Sequence, residues 1–378
     1  MTNQIPLKGF RDYTGGEAEK RSEIKKILVG TFEKYGFEPA ETPIIEDEKF
    51  VKGENANDEA VSDVYKLKDK GKRKLALRYE FTFQLKRLMQ NKKLPYKRYQ
   101  IGEVFRDEPT SINRFRQFTQ CDADIIGSTI KDEAEIFAMA SEILTKLGLG
   151  FTILINNRKL LNDILDDLKI KKNKEDILRE MDKLDKQGLQ ETQNKLYKLG
   201  AGNLLETISQ GEKYFVKFDS YRDVIELIEY CRIYGVKVLF SPTIIRGLSY
   251  YDGTVFEIKS KNAKETLVAG GSYRFNDVQC SGISFGLDRL SNIAKVKNEK
   301  EKYLVVSLEE DKIAINLAQK IRKQGNNVTI LYGKPSKALE FANSKKTNKV
   351  IFVGEKEVKK NQFKVKDMKT GKESLLKL

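Results

Sequence analysis

Hydrophobic and polar positions along this chain follow two periods, and the period separates predicted helices from predicted strands. Residues 17–35 place apolar side chains three and four positions apart, which predicts an amphipathic helix that stops at Gly36. The same spacing predicts a helix over 131–147. Residues 96–105 and 115–126 instead alternate with a period of two, which predicts the two arms of an antiparallel hairpin.

Shorter apolar runs indicate the remaining elements of an α+β chain. Residues 38–46 are predicted to be extended because Pro39 and Pro43 disfavour a helix. The glycine-containing segment 270–275 is interpreted as a loop. Further strands are predicted over 74–78, 151–155, 236–240, 254–259 and 282–285, and further helices over 81–90 and 287–294.

The sequence pattern changes twice in the second half of the chain. From Arg158 to about Gly235, charged helical segments follow one another with few strand signals, which predicts a helical insertion. A charged linker at 295–302 then precedes β and α units that alternate over 303–378. Alternation of this kind predicts a compact α/β domain with a mixed sheet.

Composition narrows the chemistry that is open to the chain. It contains no histidine, so the commonest general base and the commonest metal ligand are missing. We therefore expect catalysis by charge, orientation and carboxylates, without a protein-built metal site. The three cysteines, Cys121, Cys231 and Cys280, are too scattered for a zinc site, and we expect them to be reduced packing residues.

Charge and hydropathy indicate the compartment and the partner. No apolar run approaches the roughly 20 residues of a membrane-spanning helix, and the N-terminal residues lack the apolar core of a secretory signal, so we expect a cytosolic location and no membrane partner. The net charge of +15 favours a polyanionic partner, with nucleic acid first; a lysine-rich composition bias is the alternative. Residues 303–378 hold 17 basic and 8 acidic residues, and 17 minus 8 gives +9.

The predicted hairpin carries candidate chemistry. Arg106, Arg114 and Arg116 lie along it, and Asp122 and Asp124 close it. Guanidinium groups bind phosphates through charge-assisted hydrogen bonds, and a β-arm holds such a group on a rigid platform. The alternative, for an isolated hairpin, is a surface hairpin whose arginines are solvated and bind no ligand.

Three other segments add polar groups of the same kind. IIRGLSYYDGTVFEI at 244–258 sets Arg246 beside two tyrosines, which either pack in the core or line a polar pocket. GISFGLDRL at 282–290 leads from a strand into a helix with Arg289 in its first turn. LALRYEFT at 75–82 places Glu80 after a strand-like run.

Taken in order, these motifs resemble those of the histidyl-tRNA synthetases, a class II aminoacyl-tRNA synthetase family, over essentially the whole chain. ETPIIE at 41–46 resembles the motif 1 dimer segment, and SFGLDRL resembles motif 3. RGLSYYDGTVFE resembles the signature RGLDYYxGTVFE, which is the most specific of the set. The matching segments also include KGFRDY at 8–13, the motif 2 pair FRDE and RFRQFTQCDADIIG, and VGEKEVKKNQFKVKDMKTGKE at 353–373.

The resemblance implies a fold and a division into domains. We expect the class II antiparallel sheet with flanking helices and a helical insertion, followed by a C-terminal α/β anticodon-binding domain. The catalytic core is expected in 1–150 and 236–295, the insertion in 151–235, and the anticodon-binding domain in 303–378. YEFT, QCDAD and the short insertion favour the archaeal and eukaryotic branch of the family.

The resemblance also implies residue roles for the binding of ATP, histidine and Mg²⁺. Arg106 and Arg246 are expected to hold the α-phosphate from opposite sides, and Arg246 is also expected to contact the histidine. The adenine is expected to lie on Glu108 and Phe118, the distal phosphates on Arg114 and Arg289, the amino group of histidine on Glu80 and Thr82, and its imidazole among Gln120, Asp124, Tyr250 and Tyr251.

The chain departs from the family pattern at a few positions. Ser249 replaces the aspartate of RGLDYY, and GGSYRF at 270–275 replaces GGRYD, so Ser272 stands where an arginine is usual. Asn157 and Thr119 stand where histidine is common. These changes affect the tuning of the pocket rather than the phosphate-binding arginines.

The leading hypothesis is a histidine–tRNA ligase that forms histidyl-adenylate and then charges a histidine tRNA, as a homodimer through the motif 1 region. The alternatives are a non-catalytic regulatory or sensor paralogue, and a class II synthetase for threonine or proline. Retention of Arg246 and of a C-terminal domain disfavours the paralogue. The signature RGLSYYDGTVFE disfavours the other amino acids.

Overall fold

The computed structural model of the chain describes residues 5–53, 59–111, 114–246, 250–261, 266–296 and 300–376. They form two compact units. The first holds the residues up to Tyr13 and those from Lys20 to Val296, and the second holds Thr14–Glu19 together with the residues after Val296. Within these ranges, no helix has both the length and the apolar character needed to cross a membrane.

The N-terminal three-quarters of the chain alternates short helices with the strands of two sheets. The strands are β1 (Glu38–Pro39), β2 (Ile45–Asp47), β3 (Lys66–Lys68), β4 (Lys74–Leu77), β5 (Tyr96–Phe105), β6 (Gln117–Ile126), β7 (Phe151–Asn157), β8 (Val238–Phe240), β9 (Tyr251–Ser260), β10 (Thr266–Phe275) and β11 (Val278–Gly286). The helices are α1 (Gly15–Lys34), α2 (Glu48–Lys52), α3 (Glu59–Ser62), α4 (Leu85–Leu88), α5 (Ile130–Lys146), α6 (Arg158–Asp167), α7 (Lys174–Asp182), α8 (Leu184–Gln187), α9 (Leu189–Lys198), α10 (Leu204–Ile208), a 3-10 helix (Glu212–Lys217), α11 (Tyr221–Ile233) and α12 (Leu287–Ile293).

An eight-stranded sheet is the frame of the first unit. Its strand order is β1-β5-β6-β11-β10-β9-β7-β8, and only the outermost pairs, β1 with β5 and β7 with β8, are parallel. The apolar faces of α1 and α5 supply Ile24, Phe32, Phe137 and Ile143 to the largest buried cluster. Removing these side chains from water is the main stabilising term for the fold. The predicted antiparallel sheet with flanking helices is thus confirmed.

Strand β10 corrects the interpretation of 270–275 as a loop. It pairs along its length with β9 on one side and β11 on the other. The sequence pattern did not predict this strand because glycines are uncommon in strand interiors. The same glycines allow the backbone of β10 to fit between its two neighbours. A Cβ at Gly270 would lie 2.0 Å from the carbonyl oxygen of Gly282, and one at Gly271 would lie 2.5 Å from that of Thr254.

Other predicted elements differ mainly in length. The helix predicted over 81–90 is reduced to the single turn α4. The predicted helices over 17–35 and 131–147 and the hairpin arms are confirmed as α1, α5, β5 and β6. Between β7 and β8 the chain forms α6 to α11, as the charged helical pattern indicates.

A small antiparallel sheet, β2-β4-β3, lies in the segment that holds motif 1. Ile45 lies opposite Leu77, and Leu67 lies opposite Leu75. These four leucine and isoleucine side chains share one face, because partners across a ladder point the same way. Ile45 is 51% exposed and Leu67 is 36% exposed, so this face is apolar and accessible within the chain.

The second unit has a five-stranded mixed sheet of order β13-β12-β14-β15-β16. Its first three strands are parallel and its last two are antiparallel, so the prediction of a mixed α/β sheet is confirmed. The elements are β12 (Lys302–Ser307), α13 (Asp311–Lys323), β13 (Asn327–Tyr332), α14 (Pro335–Ser344), β14 (Lys349–Val353), α15 (Glu355–Lys360), β15 (Lys364–Asp367) and β16 (Glu373–Leu375).

Candidate active site

Polar side chains fill one face of the sheet where β5, β6 and β11 lie side by side. Asp124 pairs with Arg98 on one neighbour and Gly282 on the other, and Asp122 pairs with Gln100 and Ser284. Because alternate residues of a strand point to one face, Gln120 projects on the same side. A charged face at the centre of a sheet is costly unless its groups are paired or bind a ligand.

Asp124 is 3% exposed and has partners at both carboxylate oxygens. Arg98 Nη2 lies 2.9 Å from Oδ2, and the Tyr273 hydroxyl donates to Oδ1 at 2.5 Å. Burial raises the pKa of Asp124, whereas Arg98 and Tyr273 oppose that rise. A Cβ at position 282 would lie 2.3 Å from Asp124 Oδ1, so only glycine leaves room for this carboxylate.

Asp122 is buried in the same way but is less completely paired. Burial, together with the charge of Asp124, raises the pKa of Asp122 to about 7, while Arg98 and a hydrogen bond from Ser284 act in the opposite direction. Its Oδ1 has no hydrogen-bond partner in the described part of the chain, and the same is true of Gln120 Oε1. Gln120 Nε2 donates to Ser284 Oγ at 2.9 Å.

The tyrosines of the 244–258 segment lie against this acidic face. Tyr250 and Tyr251 are hydrogen-bonded to each other, and their ring centroids are 4.7 Å apart. Tyr250 also contacts Tyr273 edge to face, with centroids 5.5 Å apart. Burial, and after it the charge of Glu80, raises the pKa of Tyr250 well above its ordinary value. Tyr251 belongs to a buried cluster with Leu85, Tyr96 and Tyr273, and Tyr250 packs against that cluster. The tyrosines therefore pack in a core, with the charge of Glu80 close to their hydroxyls.

Glu80 and Thr82 follow β4, and both are largely buried, with 5% and 9% exposure. The backbone carbonyl of Tyr79 accepts a hydrogen bond from Arg106 Nε at 3.2 Å. Arg106 in turn lies over the ring of Phe118, 5.2 Å from its centroid. These contacts bring the predicted amino-group site and the predicted α-phosphate arginine to adjacent positions.

The motif 2 turn pairs Glu108 with Arg114 through Oε2 and Nη2. Glu108 is buried, whereas the Arg114 side chain is 49% exposed. Arg116 Nε donates to the Glu108 carbonyl oxygen at 3.2 Å, a hydrogen bond that closes the turn between the two strands. In this turn, which runs from Pro109 to Asn113, the last two residues lie outside the described ranges.

Arg246 and Arg289 are joined by a chain of hydrogen bonds. Arg246 Nη1 donates to Glu257 Oε1 at 3.2 Å, and Thr266 Oγ1 donates to Glu257 Oε2 at 2.9 Å. Arg289 Nη1 donates to the Thr266 carbonyl oxygen at 2.7 Å. Arg246 Nε is buried and has no hydrogen-bond partner among the described residues, so it is a donor that a ligand could satisfy.

The opposite face of β6 holds a second buried network that the sequence did not reveal. Asp288 Oδ1 accepts from Arg21 at 2.7 Å and from the Tyr13 hydroxyl at 2.6 Å, and its Oδ2 accepts from the backbone N–H of Thr119 at 2.9 Å. Arg21 also donates to Thr119 Oγ1 at 2.9 Å. Tyr13 of KGFRDY and Asp288 of SFGLDRL thereby hold β6 at Thr119, between Phe118 and Gln120, two residues that are predicted to face the ligand.

The structure describes Ser272 but not Ser249, the two positions at which serine replaces a residue of the family pattern. Ser272 is buried and donates to Glu133 Oε1, so the position usually held by arginine faces a buried carboxyl on α5. Burial raises the pKa of Glu133, and the hydroxyls around it oppose that rise. Gly247 and Ser249 lie outside the described residues.

Sequence families and curated relatives match along the whole chain. Residues 9–290 match the family described as "Histidyl-tRNA synthetase", and residues 296–378 match "Anticodon binding domain". The chain is 32% identical over 414 aligned positions to histidine–tRNA ligase 1 of Bacillus cereus, covering 99% of this chain and 97% of the relative. It is 33% identical over 410 positions to histidine–tRNA ligase 2 of Shouchella clausii, covering 97% and 96%.

Solved structures match the fold. The histidyl-tRNA synthetase of a Nostoc species superposes with a TM-score of 0.86 at 22% identity, covering 100% of this chain and 97% of that one. A protein from Bacillus halodurans described as an ATP phosphoribosyltransferase regulatory subunit/histidyl-tRNA synthetase gives 0.76 at 22% identity, covering 93% and 98%.

The relatives correct one expectation from the sequence. Bacterial ligases match nearly full length, so the inferred position in the archaeal and eukaryotic branch is wrong. YEFT and QCDAD comprise nine residues at one pocket, and so few positions do not decide the branch of a 378-residue chain.

Proposed function

Because the chain belongs to the histidyl-tRNA synthetase family, we propose that it ligates histidine to tRNA in two steps. Histidine and ATP first react to give histidyl-adenylate and pyrophosphate, and the histidyl group then passes to the 3′ end of a histidine tRNA. The observation that carries the proposal is the buried acidic and aromatic pocket beside Arg106 and Arg246. Its acidic side chains match a cationic amino group and a ring N–H.

The amino acid occupies the acidic end of the pocket. Glu80 and Thr82 receive the α-amino group, since a buried carboxylate binds an ammonium through charge-assisted hydrogen bonds. The imidazole lies among Gln120, the aspartates of β6, Tyr250 and Tyr251. An amino acid without a ring N–H leaves a buried acceptor unpaired, which costs about 1–3 kcal/mol and provides discrimination.

ATP occupies the arginine-rich end. Phe118 stacks on the adenine, and Glu108 accepts from it, which requires Arg114 to leave Glu108 and turn to the distal phosphates. The exposure of Arg114 makes that exchange inexpensive. Arg289 also serves the distal phosphates. Arg106 and Arg246 hold the α-phosphate, and the unpartnered Nε of Arg246 supports this role.

Glu257 and Thr266, whose side-chain oxygens lie 2.9 Å apart, would hold Mg²⁺ if it enters with ATP. No cluster of three acidic or cysteine side chains that could hold a metal ion occurs in the described residues. Mg²⁺ in nucleotide sites is commonly held by one or two protein oxygens together with phosphate oxygens, which fits this pair. When bound, the ion would neutralise phosphate charge.

Adenylate formation needs no histidine in the enzyme. The substrate carboxylate is already a nucleophile, so the protein has only to align it with the α-phosphorus and stabilise the charge that develops there. Orientation alone is worth on the order of 7–11 kcal/mol in favourable cases. Arginine guanidinium groups meet both requirements without a proton transfer.

We also propose a homodimer formed through the motif 1 segment. The apolar, accessible face of the β2-β4-β3 sheet, with Ile45 and Leu67, supports this assignment. Ile45→Glu should shift the protein towards monomer in sedimentation equilibrium. The control Ile233→Glu, at a residue that is 78% exposed on α11, should leave the assembly state unchanged.

ATP–pyrophosphate exchange with each amino acid in turn tests the proposed function. Exchange that depends on histidine alone, followed by charging of a histidine tRNA transcript, is the expected result. Exchange with threonine or proline instead would assign a different synthetase. A non-catalytic regulatory or sensor protein with this fold would exchange with none.

A further inference from the structure

The ladder between β6 and β11 stops before β6 does. Its last pair joins Gln120 to Gly286, whereas β6 continues to Gln117 in its ladder with β5. The ladder with β11 therefore ends one residue short of Thr119. The carboxylate of Asp288, two residues beyond the end of β11, takes the place of the missing strand, because its Oδ2 accepts from the Thr119 backbone N–H at 2.9 Å.

The Asp288 carboxylate is itself held by two donors on its other oxygen. Oδ1 accepts from Arg21 Nη1 at 2.7 Å and from the Tyr13 hydroxyl at 2.6 Å. Asp288 is 8% exposed and Arg21 is 7% exposed, so both charges are buried and paired. Arg21 also donates to Thr119 Oγ1 at 2.9 Å, which ties the same β6 residue a second time. A buried network in which these groups are satisfied is rigid, since any shift of Asp288 breaks charge-assisted hydrogen bonds.

The hydrogen bond between Thr119 and Asp288 joins two segments that are proposed to bind opposite ends of ATP. Phe118, proposed to stack on the adenine, directly precedes Thr119. Arg289, proposed to bind the distal phosphates, directly follows Asp288. The separation of the adenine-binding ring from the phosphate-binding guanidinium is therefore set across this one contact, and binding of a long ligand depends on such a separation.

The residues proposed for histidine do not depend on this contact in the same way. Gln120 is a ladder partner of Gly286, and its Nε2 donates to Ser284 Oγ at 2.9 Å. Gln120 is thus supported by β11 itself, whereas Phe118 lies beyond the end of that ladder. Loosening of the segment around Thr119 should therefore affect ATP far more than histidine.

We propose, on the basis of the function given above, that Asp288 is a positioning residue for ATP. By accepting from the Thr119 N–H, it sets the spacing between Phe118 at the adenine end and Arg289 at the phosphate end. The two donors on its other oxygen keep the carboxylate in that position.

The first test compares the two substrates in the exchange reaction. Asp288→Asn keeps the shape of the side chain, but its amide cannot accept hydrogen bonds on both sides, so one side of the network opens. We expect the KM for ATP to rise about 10-fold, as for the loss of a hydrogen bond to a charged group, and the KM for histidine to stay within about twofold. Asp219→Asn makes the same chemical change at a carboxylate that is 91% exposed and should leave both values unchanged.

A milder variant tests the same carboxylate if Asp288→Asn does not fold. Tyr13→Phe removes a single hydroxyl that donates to Asp288 Oδ1. The KM for ATP should rise by about two- to fivefold, as for one hydrogen bond, again with the KM for histidine nearly constant. Thermal unfolding of each variant verifies that a change in KM does not come from a loss of fold.

The second test asks whether Asp288 acts through Phe118. ATP affinity is measured by calorimetry, without amino acid, for the wild-type protein, for Phe118→Ala, for Asp288→Asn and for the double variant. If Asp288 positions the Phe118 ring, the double variant should bind ATP about as weakly as the weaker single variant. Independent contributions would instead multiply.

The outcomes separate this inference from the proposed function. A KM for ATP that is unchanged in Asp288→Asn and in Tyr13→Phe, an equal rise in the KM for histidine, or factors that multiply in the double variant would overturn the role of Asp288, while histidine-dependent exchange by the wild-type protein still stands. A wild-type protein that binds ATP but exchanges with no amino acid overturns the proposed function, and the calorimetric comparison then still decides the inference.

Discussion

At the scale of residues, the main feature of the site is a set of buried charged groups: Arg98, Asp122 and Asp124. Arg98 is fully buried, and its guanidinium lies beside Asp124 and close enough to Asp122 to oppose the rise of its pKa. One cation between two buried carboxylates is not a favourable way to stabilise a protein, since desolvation offsets most of the Coulomb gain. The arrangement is explained if the ligand supplies the missing donors.

Arg246→Ala tests the phosphate end of the site. The substitution removes a buried guanidinium that donates to Glu257. Because that guanidinium is proposed to bind the α-phosphate, its loss also removes a preorganised positive charge from the transition state. We expect histidine-dependent exchange to fall by about 100-fold or more, with tRNA affinity nearly unchanged in filter binding. Arg222→Ala, at an exposed surface ion pair, is the control and should exchange normally. Normal exchange by Arg246→Ala would remove the role assigned to it.

The motifs predicted which residue types border the pocket but not how they pair. The sequence predicted Arg106, Glu80 and Arg246 as site residues because each lies in a distinctive motif. The pairing of Asp124 with Arg98 and Tyr273 depends on the register of β6 against β5 and on the position of β10. Neither can be derived from a strand pattern alone, because a shift of one residue would reverse the face on which every side chain lies.

At the scale of elements, α1 and α5 were predictable and β10 was not, for one physical reason. Helices that cover a sheet carry a continuous apolar stripe, which is visible as a period in the sequence. The strand β10 is buried between two neighbours and carries glycines where backbones approach closely, so its pattern resembles that of a turn. Sequence reasoning fails here where packing overrides local preference.

Gly270→Ala should therefore be destabilising. Its Cβ would lie 2.0 Å from the Gly282 carbonyl oxygen and 2.7 Å from the ring of Phe256, and backbone in a central strand cannot move away cheaply. We expect a loss of about 1–3 kcal/mol in the free energy of unfolding from urea titration. Gly30→Ala in α1 meets no atom within 4 Å and should instead stabilise by about 0.5–1 kcal/mol. Equal effects of the two substitutions would contradict the packing argument.

An ion-pair cluster links α1 to α5 and should make their docking dependent on pH. Lys146 and Lys34 lie 2.8 and 3.0 Å from Glu142, and their hydrogen bonds lower the pKa of Glu142 to about 2. A carboxyl with a depressed pKa in the fold stabilises it above its ordinary pKa, and that contribution disappears as the pH falls towards 2. At pH 7, Glu142→Gln should lower the free energy of unfolding by less than about 1 kcal/mol, which is seen as a slightly lower thermal midpoint. The difference between the two proteins should become progressively smaller below about pH 4. A difference between the two proteins that is constant from pH 7 to 3 would exclude this ion-pair contribution.

At the scale of the whole molecule, charge and function are unevenly divided between the two units. Residues 303–378 carry 17 basic and 8 acidic residues, so 17 minus 8, or +9, of the net charge of +15 lies in about a fifth of the chain. The arginines proposed for ATP all lie in the first unit. Adenylate formation and most of the electrostatic attraction for tRNA should therefore respond to different substitutions.

Salt dependence provides the measurement for that separation. Each phosphate that a lysine neutralises releases counterions, so the logarithm of the tRNA affinity should fall linearly with the logarithm of the salt concentration. Six such contacts would cost on the order of 1000-fold in affinity between about 50 and 200 mM salt. Replacing the exposed residues Lys345, Lys346, Lys359 and Lys360 by glutamine should make this slope shallower by about one unit for each lost contact, with histidine-dependent exchange unchanged. An unaltered slope would assign these four lysines to the solvated surface, and a parallel loss of exchange would show that the two activities are not separable.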